Sequence, residues 1–395
     1  MKWSALLIIF ILFNSSCINR DTVIDIHNSE IDSCSVYDVL SEMNSQPLFK
    51  VDELYSEIKI IKLETSESSI LTSWINKVIV TKDFIYVCDA FNGGSIAIFR
   101  EDGSFVKRLP YGQGPEDVLV ASFMYYDDQN EWFYVSDQGN NKISKFTKSG
   151  DYISSVQLGS EFVKDFAVIN GNYLFMIPGY IYYDKSYFVV LSDSLLRPVC
   201  KWFLGNEPKC SIGLTQYIYK TDDGFNFSKS LDNTVYCFRD NKIAKRLEIV
   251  DNRDCVDIYS FKDYKSFLSG LSDDEYIISG SIIEMRDYIY TSFSHGDFLF
   301  KGIIIDKHTK HIVPCQVSEG SLSSCFGVSG LCSYDDNSLY DIIDPVEWCE
   351  YAMKNWDGSN PNNLLSSEDI DKLKSIQPDD NPVIVTFKLK SDLNR

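Results

Sequence analysis

From about residue 55 onward the chain alternates apolar and polar positions in short runs, broken at intervals by Gly, Asn and Asp. Alternation with a period of two marks a half-buried strand, and those turn residues join antiparallel strands into hairpins. Two stretches repeat the pattern in register. Residues 84–109 read FIYVCDAFNGGSIAIFREDGSFVKRL, and residues 132–158 read WFYVSDQGNNKISKFTKSGDYISSVQL. Each runs aromatic, aliphatic or aromatic, Tyr, Val, any residue, Asp; then a Gly/Asn turn, Ile-x-x-Phe, a turn ending in Gly, and a further alternating strand. Asp89 answers Asp137, Phe99 answers Phe146 and Gly103 answers Gly150, at offsets of 48, 47 and 47.

Four strands per period of about 47 residues is the pattern of a propeller blade. Weaker copies start at DFAVINGNYLFMIPGY, GFNFSKSLDNTVYCFRDNKIAKRLEIV and YIISGSIIEMRDYIYTSFSHGDFLFKGIIIDKHTKHIVPCQV. The last unit is split between FGVSGLCSYDDNSLYDII and NPVIVTFKLK, and the early strand SEIKIIKLET completes it. The reading is therefore all-β: a six-bladed β-propeller of four-stranded antiparallel blades over residues 55–395, with the last blade closed by N- and C-terminal strands. A β-sandwich, the rival fold, predicts no regular period. Residues 344–380 interrupt the last blade as a helical insert, in which SSEDIDKLK offers a Ser cap ahead of acidic first-turn residues.

The glycine-rich stretch YGQGPED, residues 111–117, falls between the first and second units. A dinucleotide fingerprint needs a third Gly where Asp117 stands, and it opens a helix that no pattern here supports. Pro115 removes an N–H donor, and Glu116 and Asp117 repel an anion. The stretch is an interblade turn, not a phosphate cradle.

Composition changes the picture in two places. The 37 basic and 57 acidic residues give a net charge of −20, which disfavours nucleic acid as a partner. At the start, Lys2 precedes an apolar run from Trp3 to Phe13, shorter than the ~20 residues of a membrane-spanning helix. Ser15, Ser16 and Cys17 follow it. Such a segment is a signal peptide, residues 1–17, whose small-small-Cys ending resembles a bacterial lipobox with Cys17 as the acylated residue. Asn14 departs from the aliphatic residue usual there. Residues 18–54 are then expected to be a tether, and one multi-chain lipid anchor suffices for membrane residence. Ten of the 11 cysteines follow Cys17, with no CxxC pair among them. Cys88 and Cys237 sit in apolar runs, where a free thiol behaves as a small hydrophobe. A Cys325–Cys332 bridge stays open.

Several motifs together resemble a family of six-bladed β-propeller lipoproteins of Gram-negative anaerobes, related in fold to NHL-repeat and TolB-like propellers. They are IIKLETSESSIL at 60–71, FIYVCD at 84–89, YGQGPED at 111–117 and the closing NPVIVTFKLK. Relatives carry a Gly between the Pro and Glu of the loop, which is missing here. The resemblance covers about residues 50–395 and implies the propeller and an exported, lipid-anchored envelope protein at the outer membrane. It brings no catalytic residue.

In a propeller, ligands usually meet the face that bears the links between blades and between second and third strands. The candidates there are Phe91, Asn92, Asn140, Asn141, Tyr180, Tyr182, Tyr183, His295 and Asp297. Trp348 and Trp356 of the insert are expected to roof the channel and offer aromatic faces to a sugar or peptide. Each also has a plainer reading, since Asn and Asp suit tight turns and aromatic residues pack blades. Of the four histidines, His27 lies in the tether and His308 and His311 in the hairpin turn DKHTKH, without the helical Glu of a zinc protease. No nucleophile motif such as G-x-S-x-G accompanies His295. The sequence thus points to a non-enzymatic binding module for a glycan, peptide or envelope partner, needing no cofactor. The alternative is a calcium-dependent lactonase-like hydrolase or lyase, with Glu284, Asn140 and Asp297 as oxygen ligands.

Overall fold

The computed structural model describes residues 22–24, 34–39, 49–72, 75–89, 95–158, 163–177, 187–204, 218–221, 224–229, 231–250, 257–258, 260–271, 277–278, 282–294, 301–316, 332–335, 338–356, 358, 360 and 363–390. Three short strands, β1 (Thr22–Ile24), β2 (Ser35–Asp38) and β3 (Phe49–Lys50), precede the longer β4 (Tyr55–Lys62). Blade one follows as β5 (Ile75–Val80), β6 (Phe84–Asp89), β7 (Ser95–Arg100) and β8 (Phe105–Arg108). Blade two is β9 (Ala121–Asp127), β10 (Trp132–Asp137), β11 (Lys142–Thr147) and β12 (Tyr152–Gln157). Blade three is β13 (Asp165–Ile169), β14 (Asn172–Met176), β15 (Tyr187–Ser192) and β16 (Pro198–Leu204). Blade four is β17 (Ile218–Thr221), β18 (Gly224–Phe227), β19 (Thr234–Arg239) and β20 (Lys242–Val250). Blade five opens with two fragments, β21 (Ile277–Ile278) and β22 (Ile283–Glu284), and continues as β23 (Tyr288–Ser294), β24 (Lys301–Asp306) and β25 (Ile312–Gln316). Blade six is β26 (Cys332–Asp335), β27 (Ser338–Ile343), β28 (Val383–Leu389) and the early β4.

The chain is thus a six-bladed β-propeller whose last blade joins strands from its two ends. β4 pairs antiparallel with β28 from Val383↔Lys62 to Leu389↔Tyr55. Between neighbouring blades the facing side chains form one apolar layer after another. Tyr86 of blade one stacks on Phe133 of blade two with ring centroids 4.2 Å apart, inside a layer shared with Ile98, Met124 and Phe146. Ring closure is visible in the layer where Ile61, Tyr340 and Ile384 of blade six meet Ile85, Val87 and Phe99 of blade one.

The repeated residues act alike in both clear copies. Asp137 ends β10 fully buried, and its carboxylate accepts the backbone N–H groups of Leu119 at 3.0 Å and Val120 at 2.9 Å. Asp89 does the same for Thr72, accepting its N–H at 3.0 Å and its hydroxyl at 2.5 Å. Each Asp therefore pins the connection that enters its own blade. Gly103 and Gly150 close equivalent hairpins at φ 89° and 83°, a region that L side chains rarely adopt. A Cβ at Gly150 would stand 2.5 Å from the Ile98 Cδ1 of the preceding blade.

Two segments depart from expectation. Residues 18–54, expected as a tether, supply strands that pair in parallel with the outer strands of three blades: β1 with β16, β2 with β20 and β3 with β25. The insert, expected to roof the channel, instead lies along the outer edge of blade six. Its helix α2 (Ser367–Lys374) is capped as the sequence suggested, Ser366 Oγ accepting the Asp369 N–H at 3.1 Å. On that edge Ile58 N–H donates to the Leu364 carbonyl at 2.9 Å, and Ile60 N–H donates to Asp369 Oδ1 at 2.9 Å. The sequence reading had no counterpart for helix α1 (Tyr264–Gly270), which follows blade four. Asp263 and Ser266 form its capping box.

Candidate functional site

Strand order fixes two faces. The turns inside each pair of first and second, or third and fourth, strands lie on one face, here the hairpin face. The connections between blades and between second and third strands lie on the other, the loop face. On the loop face the YGQGPED stretch is tied down from all sides. Tyr111 bridges Val118, and Val118 N–H donates to the Pro110 carbonyl at 2.8 Å. Gly114 N–H donates to Asp117 Oδ2 at 2.8 Å. Lys142, buried at the start of β11, donates to the Gly114 and Pro115 carbonyls at 3.0 and 2.9 Å. Asn140 Nδ2 donates to the Gly112 carbonyl at 2.9 Å. Inward carbonyls met by side-chain donors are the reverse of a phosphate nest, so the stretch is the interblade turn that its sequence suggests.

This bonded loop holds out apolar side chains. Tyr111 is 64% exposed, and Val120, at the end of the same connection, is 41% exposed. Ile70 is half exposed in the neighbouring connection into blade one, where Arg108 Nη2 donates to its carbonyl at 2.7 Å. Nearer the axis the first strands of adjacent blades touch. There Lys77 of β5 reaches past blade two to Asp165 of β13, Nζ to Oδ1 2.8 Å. The same carboxylate accepts Phe166 N–H at 3.0 Å and Ile218 N–H of blade four at 3.3 Å. Asn76 Nδ2 donates to the Ser122 carbonyl of blade two at 2.6 Å. Asp165 is buried, so the bridge clasps the innermost strands of blades one, three and four at the loop-face end of the channel.

Of the residues singled out from sequence, Asn140 and Asn141 serve the turn itself. Asn140 donates to Asp137 Oδ2 at 2.7 Å, and Asn141, at φ 52°, donates to the Leu158 carbonyl at 3.0 Å. Trp348 and Trp356 are 1% and 8% exposed, and their rings lie 5.9 Å apart inside the layer shared by blade five, blade six and the insert. Trp348 Nε1 donates to the Leu373 carbonyl at 3.1 Å. This corrects the expected aromatic roof: both rings spend their faces on the apolar layer. Phe91, Asn92, Tyr180, Tyr182, Tyr183, His295 and Asp297 lie outside the described residues, as do Cys17 and His27. His308 sits on the hairpin face with Nε2 3.1 Å from Asp287 Oδ1. Sequence reasoning missed Tyr111, Ile70 and the Lys77–Asp165 clasp. A charged residue at the start of an otherwise apolar first strand, as in INKVIV and KDFAVI, was the available signal.

Of the oxygen ligands invoked for calcium, Asp297 lies outside the described residues and Asn140 serves the interblade turn. Glu284 is held by Lys307 Nζ at 2.7 Å, Arg246 Nε at 3.3 Å and Asn226 Nδ2 at 2.8 Å, so its charge already answers two cations. Among the described residues no group of three His, Cys, Asp or Glu is placed to hold a metal. Cys88 is buried against blade two, and burial pushes its thiol up to about 12, far from a reactive thiolate.

The model of the domain of unknown function DUF4934 matches residues 34–388, and the chain belongs to that family. Among solved structures, a Bacteroides fragilis protein described as exported is similar, with a TM-score of 0.67 at 16% identity over 94% of this chain and 100% of that one. A member of the duf4221 family from Bacteroides vulgatus has a TM-score of 0.50 at 9% identity, over 85% of this chain and 97% of that one. At such identities the likeness carries the fold. No curated protein matches the chain.

Proposed function

We propose that this DUF4934 chain is a lipid-anchored protein of the cell envelope, at the outer membrane, that binds a glycan, a peptide or a partner protein on its loop face. The observation that carries the reading is the YGQGPED loop, whose hydrogen-bonded backbone leaves Tyr111 exposed, with Val120 exposed at the end of the same connection and Ile70 exposed in the connection into blade one. A loop backbone already held in place loses little freedom on binding, and exposed aromatic residues are common interface anchors. The lipobox at Cys17 and the exported relative from Bacteroides fragilis support the location. Among the described residues no helix is long and apolar enough to cross a membrane.

The test is a screen of the purified protein on glycan and peptide arrays, repeated with the double variant Tyr111→Ser, Ile70→Ser. A hit should weaken about tenfold or more in the variant, the effect of losing ~1.4 kcal/mol, while the melting temperature stays put. Hits that bind both proteins equally would contradict the reading. Melting in EDTA and then in millimolar calcium checks the enzymatic alternative. A ligand at about 100 times its Kd adds ~2.7 kcal/mol to folding, and no such rise is expected here.

A further inference from the structure

We propose that the propeller stands on the membrane by the hairpin-side rim of blade three, with its loop face turned away from the lipid. The inference rests on the lipid-anchor reading and extends it from where the chain is to how it is oriented.

The chain does not leave the propeller at residue 55. It is already bound at Thr22, because β1 pairs with β16 in the register Thr22↔Cys200, Val23↔Lys201, Ile24↔Trp202. The pairing is parallel, so the chain enters β1 from the end at which β16 begins. That end is the turn from Asp193 to Arg197, on the hairpin face. Cys17 precedes Thr22 by five residues, a reach of at most ~17 Å at ~3.5 Å per residue. Running the other way, Cys200 to the last residue of β16, Leu204, already takes up ~13 Å at ~3.3 Å per residue, and the loop-face connections lie beyond. A lipid on Cys17 is therefore placed at the hairpin end of blade three, and the tether would have to double back along β16 at almost full extension to approach the loop face.

The rim that the tether reaches is built to meet lipid. Asp193 organises the turn: its Oδ1 accepts the Leu195 and Arg197 N–H groups, both at 2.9 Å, and its Oδ2 accepts Arg197 Nε at 2.7 Å. That arrangement pairs the only charges of the turn with each other and holds Leu195 outward, 65% exposed. Val199, the second residue of β16, is 46% exposed. Ile153, the second residue of blade two's outer strand, is 42% exposed at the same hairpin end. In a chain of net charge −20, a turn whose two charges pair with each other and which leaves Leu195 and Val199 exposed beside the anchor suits an uncharged headgroup surface.

The experiment uses the full chain made with its signal segment in a Gram-negative host. It is reconstituted in phosphatidylethanolamine vesicles beside a variant with a long Gly/Ser segment inserted between Arg20 and Asp21. Mass analysis of the N-terminal peptide reports the lipid on Cys17; amide hydrogen exchange reports the contact. Exchange in residues 193–199 should be severalfold slower in the short-tethered chain than in the variant, with residues 110–120 the same in both. Leu195→Asp with Val199→Asp, both at exposed positions, should remove that protection and leave acylation intact. An acylated chain with equal exchange at 193–199, or with slowing at 110–120, overturns the orientation while the anchor stands. A chain without lipid on Cys17 overturns both.

Discussion

The outer edges of blades three to six differ from those of blades one and two. Strands β1, β2 and β3 cover the edges of blades three, four and five, and the insert covers blade six through Leu364 and Asp369. On blade one the cover is thin: Glu64 Oε2 accepts the Phe105 N–H at 3.0 Å and Glu64 N–H donates to the Gly103 carbonyl at 2.8 Å. In blade two, Ser154 and Ser155 of β12 lie exposed at the rim, in a strand with no charged residue. An unpaired edge invites another strand, and proteins cover or charge it. Here the cover comes from the two segments that look least like parts of the ring, so irregular sequence flanking a repeat can be the seal of that repeat.

Substitutions along these edges should form a graded series. Trp348→Ala removes the insert's own indole from the apolar layer under it and should cost ~3–5 kcal/mol in denaturant unfolding. If the insert were a free-standing lid, the loss would be small. Asp369→Ala leaves the fully buried Ile60 N–H without its acceptor and should cost ~1–3 kcal/mol, whereas Asp369→Asn, which keeps an acceptor oxygen, should retain most of it. Glu64→Ala removes one exposed bond from the edge of blade one, worth ~0.5 kcal/mol. Ser154→Ala on blade two should stay within about 0.5 kcal/mol of the parent. A Ser154→Ala loss as large as that of Asp369→Ala would erase the distinction between sealed and open edges.

What the sequence revealed follows the same division. Hairpins are local, so Asp89, Gly103 and their counterparts Asp137 and Gly150 announce strand ends and turns within a few residues of the contacts they serve. Six blades and the closing strand could be read from that period. The N-terminal strands could not, because runs of two to four residues show no alternation to detect. Trp348 and Trp356 could be seen to be unusual, but an apolar residue does not say which surface it will cover. The Lys77–Asp165 clasp joins residues 88 positions apart and exists only once the ring has closed. Tyr111 stands inside YGQGPED, but a turn motif does not say which of its side chains the folded ring will leave exposed.

The proposal that the loop face is the binding surface is tested most directly in living cells. A photo-reactive phenylalanine analogue would replace Tyr111 on the loop face and, in a second strain, Tyr152 near the hairpin end of blade two. Irradiation should give a discrete adduct from position 111, absent when Ile70 is also changed to Ser, and none of that mass from position 152. The same adduct from both positions, or from 152 alone, would contradict the account.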